Sequence, residues 1–93
     1  MRRAVRIDQN QQDIVKALRQ AGSSVLSLAA IGNGCPDLLV GWHGRNYLLE
    51  VKYDKGDLSA EQVIWHKDWR GQVATVRTVT EAIETLNTLT RRG

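Results

Sequence analysis

The sequence has little cysteine and histidine and no long apolar run, and each shortage removes a class of protein. Of 93 residues, one is cysteine and two are histidine. Cys35 therefore has no partner for an intramolecular disulfide, and neither His43 nor His66 has the ligand spacing of a structural zinc site. No apolar stretch approaches the roughly 20 residues that span a bilayer, and the N-terminus lacks the basic-then-apolar order of a secretory signal. We expect a cytoplasmic protein, in a bacterium or a phage-infected host cell, with no membrane partner.

Length and composition indicate one small folded domain. A chain of 93 residues has too little interior for two hydrophobic cores, so we expect a single domain over 1–93. Apolar residues make up 42% of the chain and charged residues 25%, values typical of globular proteins. No repeat, linker or low-complexity segment divides it.

The net charge suits a polyanionic partner without requiring one. The formal charge is +3 and the pI is near 9.4. Arginines crowd both ends, at Arg2, Arg3 and Arg6 and again at Arg91 and Arg92. Such a balance fits nucleic acid binding. Taken alone, the charge is explained more simply by a soluble surface with basic termini.

Apolar spacing and capping signals predict a mixed sheet with helices packed on it. The predicted elements are a helix over 9–21 after a short basic arm, strands over 24–29, 37–42 and 45–52, a helix over 59–69, a strand over 72–77 and a final helix from 79. Gly22 is placed to end the first helix. Ser59 with Gln62, and Thr78 with Glu81, have the spacing of capping boxes. The order is α-β-β-β-α-β-α, an α/β domain with a layered core.

The predicted hairpin brings two carboxylates together. A two-residue turn at His43 and Gly44 sets a pairing that places Asp37 opposite Glu50. Cβ atoms of directly opposed residues lie about 4.5 to 5.5 Å apart, so like charges repel there unless something positive lies between them. Lys52 follows Glu50 by two positions and therefore projects from the same face. A divalent cation would remove the repulsion.

Each of these residues also has an ordinary explanation. Glu50 and Lys52 could form an ion pair at the strand end, with Asp37 capping the loop after Pro36. The surrounding strand residues are apolar on both faces, as expected of central strands covered on both sides. The ion pair would leave one acid uncompensated, and an uncompensated buried charge is costly. Together the residues indicate a metal site.

The same residues carry a family resemblance. Gly34-Cys35-Pro36-Asp37 followed by Glu50-Val51-Lys52 resembles the PD-(D/E)XK nuclease signature. Over 32–71 the chain is similar to the VRR-NUC branch, which includes small phage and prophage proteins. The similarity lies in the loop before the acid, the Leu-Leu-Glu-Val-Lys strand and the Ser-x-x-Gln-x-x-Trp-His helix. It implies a restriction-endonuclease-like fold and a Mg²⁺-dependent endonuclease acting on DNA, with Mn²⁺ able to substitute.

The resemblance also implies individual roles. Asp37 and Glu50 would ligate the metal together with the main-chain carbonyl of Val51. Lys52 would position water or stabilise developing charge. Gln62 would complete the catalytic set of Asp37, Glu50 and Lys52.

Two glutamines are open to structural explanations as well. Gln62 shares a helical stripe with Trp65 and Trp69, which places its amide on the inward face, but capping the helix explains it equally well. Relatives often have a metal-binding glutamate in the first helix, where Gln11 is the nearest match. An amide is a weaker Mg²⁺ ligand, and Gln11 three positions after Asp8 also suits a helix cap. Occupancy by one or two metals stays open.

Basic residues and a glycine-containing loop are the candidate DNA contacts. The predicted backbone contacts are Lys16, Arg19, Lys55, Lys67 and Arg70. Gly32, Asn33 and Gly34 would let the main chain approach a phosphate closely. Such contacts position DNA without reading its sequence. The resemblance suggests branched substrates such as four-way junctions, which a two-fold homodimer could cut symmetrically.

The remaining candidates receive no catalytic role. His43 suits a turn, and His66 is predicted on an exposed helix face. Trp65 and Trp69 are predicted in the core rather than as base-stacking platforms. Cys35 is predicted to be a loop filler, because no histidine base is near enough in sequence to activate its thiol.

Two rival functions belong to other classes. The main alternative is a non-catalytic nucleic-acid-binding protein that keeps the nuclease fold and uses only its basic surface. The second is a structural phage or assembly protein with an ordinary salt-bridged hairpin. The Asp, Glu and Lys set argues against the first, and metal binding would exclude the second.

Overall fold

A computed structural model describes residues 3–92. Over this range four strands form one mixed sheet, and three helices accompany it. The elements are α1 (Arg3–Gln20), β1 (Ser24–Ser27), β2 (Leu38–Trp42), β3 (Arg45–Val51), α2 (Ala60–Asp68), β4 (Val73–Val76) and α3 (Val79–Arg92). The predicted order and the α/β class are confirmed. Within the described range, no helix has the length and apolar character needed to cross a membrane.

The sheet order follows the chain order, β1-β2-β3-β4. The first three strands are antiparallel to their neighbours, and β4 runs parallel to β3. A parallel neighbour requires a crossover connection rather than a tight turn, and α2 lies within that connection. The crossover brings the carboxyl ends of β3 and β4 to the same edge of the sheet.

The hairpin between β2 and β3 has the predicted register. Residues 43–44 both have positive φ, 52° and 78°, as a type I′ turn requires. Leu38 pairs with Leu49, so one further step along both strands sets Asp37 opposite Glu50. The predicted strand ends are one residue too long, because β2 begins just after the aspartate and β3 ends at residue 51.

The two faces of the sheet differ in their cover. Side chains alternate between faces along a strand, and one face packs against α1 and α3. The core residues there are Ile14, Leu18, Leu38, Val40, Trp42, Tyr47, Leu49, Val51, Val76, Ala82 and Leu86. Leu48 and Glu50 project from the opposite face, where α2 contributes no buried residue. The candidate acids therefore lie away from the main core.

The first helix begins earlier than predicted. It starts at Arg3 rather than near residue 9, so the predicted basic arm is wrong for the described part of the chain; Arg2 lies outside the described residues. Residues 3–8 contain neither glycine nor proline, and the packed turns that follow can propagate a helix backwards through them. Asp8 is then inside the helix, and Gln11 cannot complete a cap with it.

The two later helices begin at their predicted caps. The Ser59 hydroxyl accepts from the Gln62 N–H at 3.2 Å, and Gln62 Oε1 accepts from the Ser59 N–H at 2.9 Å, a complete capping box. The Thr78 hydroxyl accepts from the Glu81 N–H at 3.0 Å. The Glu81 carboxylate, however, accepts from the Arg77 N–H at 3.2 Å. In the second capping box, the bond to the glutamate therefore comes from Arg77, one residue before Thr78.

Side chains from α1 and β4 hold the end of β3 in place. The Asn10 amide donates to the carbonyls of Lys52 and Arg77, at 3.3 and 3.0 Å. The Arg77 guanidinium donates to the carbonyls of Asp54 and Gly56, at 3.1 and 2.9 Å. These bonds tie α1, both strand ends and the following loop together, and so position Lys52.

Candidate active site

The predicted site residues line one cleft at this edge of the sheet. Its volume is about 370 Å³. Its walls include all of the predicted catalytic and metal-binding residues, namely Gln11, Asp37, Glu50, Val51, Lys52 and Gln62. They come from α1, the start of β2, the end of β3 and α2. The structure thus brings together residues spread over half of the chain.

Asp37 is held by the main chain of the facing strand. Its Oδ2 accepts a hydrogen bond from the Val51 N–H at 2.8 Å. Extending the hairpin register places Pro36 opposite Val51, and proline has no N–H to donate to the next carbonyl. Pro36 therefore cannot supply the cross-strand bond that the Val51 carbonyl would receive in a continued ladder. Val51 and Asp37 both line the same cleft.

Glu50 is the most buried charged residue of the site. Its exposed fraction is 2%. The pKa of its carboxyl is raised from 4.5 to about 8. Burial is the main cause, the neighbouring Asp37 carboxyl and its negative charge add to the rise, and the Lys52 ammonium opposes it. Near neutral pH the Glu50 carboxyl is therefore largely protonated. A positive charge placed beside it would favour its ionised form.

The lysine does not neutralise either acid by direct contact. Among the side chains that the structure describes, those of residues 6–92, the one basic group within 4.0 Å of an acidic oxygen of this site is His66. Glu50 and Lys52 therefore do not form the ordinary ion pair considered from sequence. Lys52 instead lines the cleft with its main chain fixed, because its N–H donates to the Val76 carbonyl at 3.0 Å.

Gln62 caps a helix and also contacts Glu50. Its side-chain oxygen caps the start of α2 by accepting from the Ser59 N–H. Its side-chain nitrogen donates to Glu50 Oε2 at 3.3 Å. The two explanations weighed from sequence are thus compatible, since a carboxamide has an acceptor and a donor end.

The donor set fits a hard divalent cation with few protein ligands. Two carboxylates and a main-chain carbonyl are oxygen ligands of the type that Mg²⁺ uses, and Mg²⁺ commonly keeps several waters. Among the described residues, no three side chains of histidine, cysteine, aspartate or glutamate form a group that could hold a metal ion. A cation here would need water or substrate oxygens to complete its coordination.

His66 faces the site, although sequence reasoning placed it on an exposed face. Its side chain is 14% accessible, and its Nε2 lies 4.0 Å from Glu50 Oε1. Burial lowers the pKa of the imidazole, and the charge of Lys52 lowers it further. Its position was available in the sequence, because residues four apart on a helix share a face and Gln62 was already assigned to the inward one.

The two tryptophans of this helix are not core residues. Trp69 is 46% exposed and follows the last residue of α2, while Trp65 is half-buried. Their rings stack on each other with centroids 4.7 Å apart. The prediction of a core role is wrong, because α2 meets the sheet through the polar contacts of Gln62 and His66.

The loop before Asp37 accommodates α2. A Cβ placed on Gly34 would lie 2.7 Å from the Glu61 main-chain oxygen, and the residue has φ +82°. Gly34 therefore lets the helix approach, whereas the sequence suggested an approach to phosphate. Gly32 also has positive φ, +67°, but a Cβ there would meet nothing within 4 Å.

Cys35 has the properties of a filler beside the acids. Burial raises the pKa of its thiol, and the negative charges of Glu50 and Asp37 add to the rise. The nucleophilic form of cysteine is the thiolate, which this environment disfavours. A cysteine-dependent hydrolase does not fit this site.

A larger groove continues from the cleft along α1. Its volume is about 900 Å³, and both cavities share Gln11 and Asp37. Lys16 and Arg19 line the groove, and the Arg19 guanidinium is fixed by donating to the Val25 carbonyl at 3.0 Å. The other three predicted DNA contacts, Lys55, Lys67 and Arg70, are exposed but do not line this groove.

Comparisons of this chain with models of protein families, with curated proteins and with solved structures found no match.

Proposed function

We propose that this protein is a metal-dependent endonuclease of the PD-(D/E)XK type, in the VRR-NUC branch, that hydrolyses phosphodiester bonds in DNA. The observation that carries the proposal is that the Asp37 and Glu50 carboxyls lie next to each other. Lys52 lines the same cleft. The open mixed sheet with flanking helices is compatible with a restriction-endonuclease-like fold. The site lies at one edge of the sheet, where β2 begins and β3 ends.

Asp37, Glu50 and the Val51 carbonyl are the residues that would hold Mg²⁺ or Mn²⁺. When bound, the cation would polarise the scissile phosphate and lower the pKa of a water molecule. Both carboxyls must be ionised to serve as ligands, so the proton that the pair holds at Glu50 has to leave. Metal binding should therefore strengthen as the pH rises toward 8.

The other cleft residues have roles that follow from their positions. The Lys52 ammonium, which is not tied to either acid, is free to stabilise negative charge on phosphate oxygens or to orient water. Gln62 orients Glu50 by donating to its Oε2. Gln11 stands where the cleft joins the groove, and its amide can contact either substrate or solvent ligands of the cation.

The groove along α1 is the proposed path of one DNA strand. From Gln11 to Arg19 the helix rises about 12 Å, a length that covers roughly three nucleotide steps of one strand. Lys16 and Arg19 would contact phosphates on that path. Branched DNA such as a four-way junction is the proposed substrate, and a homodimer would place two clefts for paired cuts.

The first test is cleavage of labelled four-way junction, flap, single-stranded and linear duplex DNA with Mg²⁺ or Mn²⁺. Wild type is compared with Glu50→Gln, Lys52→Ala and the control Glu84→Gln, which changes an exposed glutamate on α3. We expect wild type and the control to cut and both cleft variants to lose at least about 100-fold in rate, the scale of one lost transition-state interaction.

Other outcomes would favour the alternatives. Salt-sensitive binding of DNA with no cutting of any substrate points to a non-catalytic nucleic-acid-binding protein that keeps the fold. If the protein binds no DNA and metal has no effect on it, the result points to a structural protein. Equal cutting by Glu50→Gln and wild type would place the activity outside this cleft.

A further inference from the structure

Two buried polar atoms face each other behind the cleft without partners. Glu50 Oε1 and His66 Nε2 are both buried, and among the described residues neither has a hydrogen-bond partner. They lie 4.0 Å apart, beyond the roughly 2.7 to 3.2 Å of a hydrogen bond. An unsatisfied buried polar atom costs about 1 to 3 kcal/mol. Two such atoms facing each other indicate that a hydrogen-bonding partner common to both belongs between them.

The helix that carries His66 presents one nitrogen to each oxygen of Glu50. Gln62 Nε2 donates to Oε2 at 3.3 Å, and His66 Nε2 faces Oε1. The two residues are one helical turn apart and so project side by side. Glu50 is therefore approached at both oxygens from the same element.

One water molecule fits between the two orphan atoms. A water about 2.8 Å from each of two atoms separated by 4.0 Å subtends roughly 90°, within the range of hydrogen-bonding water. Buried waters of this kind commonly satisfy otherwise unpaired polar groups. His66 is not among the residues that line the cleft, so its effect on the site must pass through Glu50.

We infer that His66 is a positioning residue that, through one bridging water and together with Gln62, holds the Glu50 carboxylate in its cation-binding orientation. The inference rests on the proposed function of the cleft. Groups that orient a metal-binding carboxylate typically contribute about 10- to 100-fold to metal affinity. Removal of His66 would leave no side chain of α2 facing Glu50 Oε1.

The first experiment measures Mg²⁺ affinity of the full chain by calorimetry, with cleavage rate alongside. The variants are His66→Ala, His66→Gln and the control Val63→Ala, which truncates an exposed side chain on the same helix; Asp37→Ala identifies the binding event with the cleft. We expect affinity about 10- to 100-fold weaker in His66→Ala. His66→Gln, which can still bond the water, should recover to within a few-fold, and Val63→Ala should match wild type.

A second measurement keeps the inference testable if a variant unfolds. The ¹⁵N chemical shifts of the His66 ring in the metal-free wild type should change when Glu50 is replaced by Gln, and should not change in Glu84→Gln. Unchanged shifts overturn the inference, as does wild-type metal affinity in a folded His66→Ala.

The two proposals fail differently. If wild type binds metal and cuts DNA while His66→Ala does both equally well, only the role of His66 is lost. If wild type neither binds Mg²⁺ or Mn²⁺ nor cuts DNA, the proposed function falls and the orientation role falls with it, whatever the ring shifts show.

Discussion

The two faces of β3 show how one strand can serve a core and a site. Leu49 and Val51 project toward α1 and α3, where apolar side chains from both helices bury them. Glu50, between them, projects to the face covered by α2, which contributes no buried residue of its own. One face is held by apolar area and the other by a few polar contacts.

The two faces therefore have separate roles: one stabilises the fold, and the other carries the candidate site. Apolar burial on the first face fixes where the backbone of β3 runs. That fixed backbone then allows a carboxyl to stay buried on the second face, where its raised pKa shows that charge is disfavoured. Substitutions on the two faces should therefore change stability with opposite sign.

The largest expected effect is at the core face. Leu49 is fully buried, and Leu49→Ala should lower the free energy of unfolding by about 2 to 5 kcal/mol through lost burial and a residual cavity. Leu26→Ala is the matched control, because that leucine is 59% exposed and its loss should cost less than about 1 kcal/mol. Urea unfolding measures both. Similar losses for the two variants would contradict the assignment of the faces.

The site face should give the opposite sign. The pKa of Glu50 is raised from 4.5 to about 8 in the folded protein. Folding therefore takes up a proton between these values, and stability falls as pH rises through that window. Glu50→Gln should remove this loss and stabilise the metal-free protein by on the order of 2 to 4 kcal/mol at pH 8, and by little near pH 4.5.

Urea unfolding near pH 5 and pH 8, with a chelator present, measures this effect. Glu84→Gln controls for the loss of one carboxyl at the surface. Parallel pH dependences of stability for wild type and Glu50→Gln would show that the carboxyl is not destabilised in the folded state.

A smaller effect tests how α2 reaches the site face. Gly34→Ala adds a Cβ 2.7 Å from a main-chain oxygen of α2 in a residue with positive φ, whereas Gly32→Ala has the positive φ without the contact. We expect the Gly32 change to cost about 1 kcal/mol and the Gly34 change about 1 to 2 kcal/mol more. Only the second should also weaken metal binding, because it displaces Gln62 and His66. Equal costs would mean that the helix is not seated on this loop.

The smallest effect concerns the hydrogen bonds that join the two regions. Asn10 donates to the main-chain oxygens of Lys52 and Arg77, and Asn10→Ala should cost about 1 to 2 kcal/mol by leaving them unpaired. Asn87→Ala, an exposed substitution on α3, should be near neutral. Slower cleavage in a stably folded Asn10→Ala would show that the bonds position Lys52. Unchanged stability would mean that water satisfies these carbonyls when Asn10 is removed.

Local signals predicted the hairpin and the helix starts. The turn at 43–44 requires positive φ, so its sequence sets the register and thereby the opposition of Asp37 and Glu50. The Ser59 and Gln62 pair likewise sets the start of α2 within one turn. These features depend on residues close together in the chain, which is why sequence is informative about them.

Features set by distant packing were predicted less well. The exposure of Trp69 and the inward position of His66 depend on how α2 lies over the sheet, and that placement follows from a glycine some thirty positions earlier in the chain. No local pattern reports these contacts between distant segments.

The shared carboxamide of Gln62 has a consequence for how this protein could change over time. Its oxygen holds the beginning of α2 and its nitrogen holds Glu50, so selection for a well-formed helix alone would preserve the side chain that points at the acid. If the protein has the proposed nuclease activity, a descendant that lost it could keep this glutamine for folding. Gln62 would then be retained after the activity was lost. Its presence among descendants would indicate common ancestry rather than function.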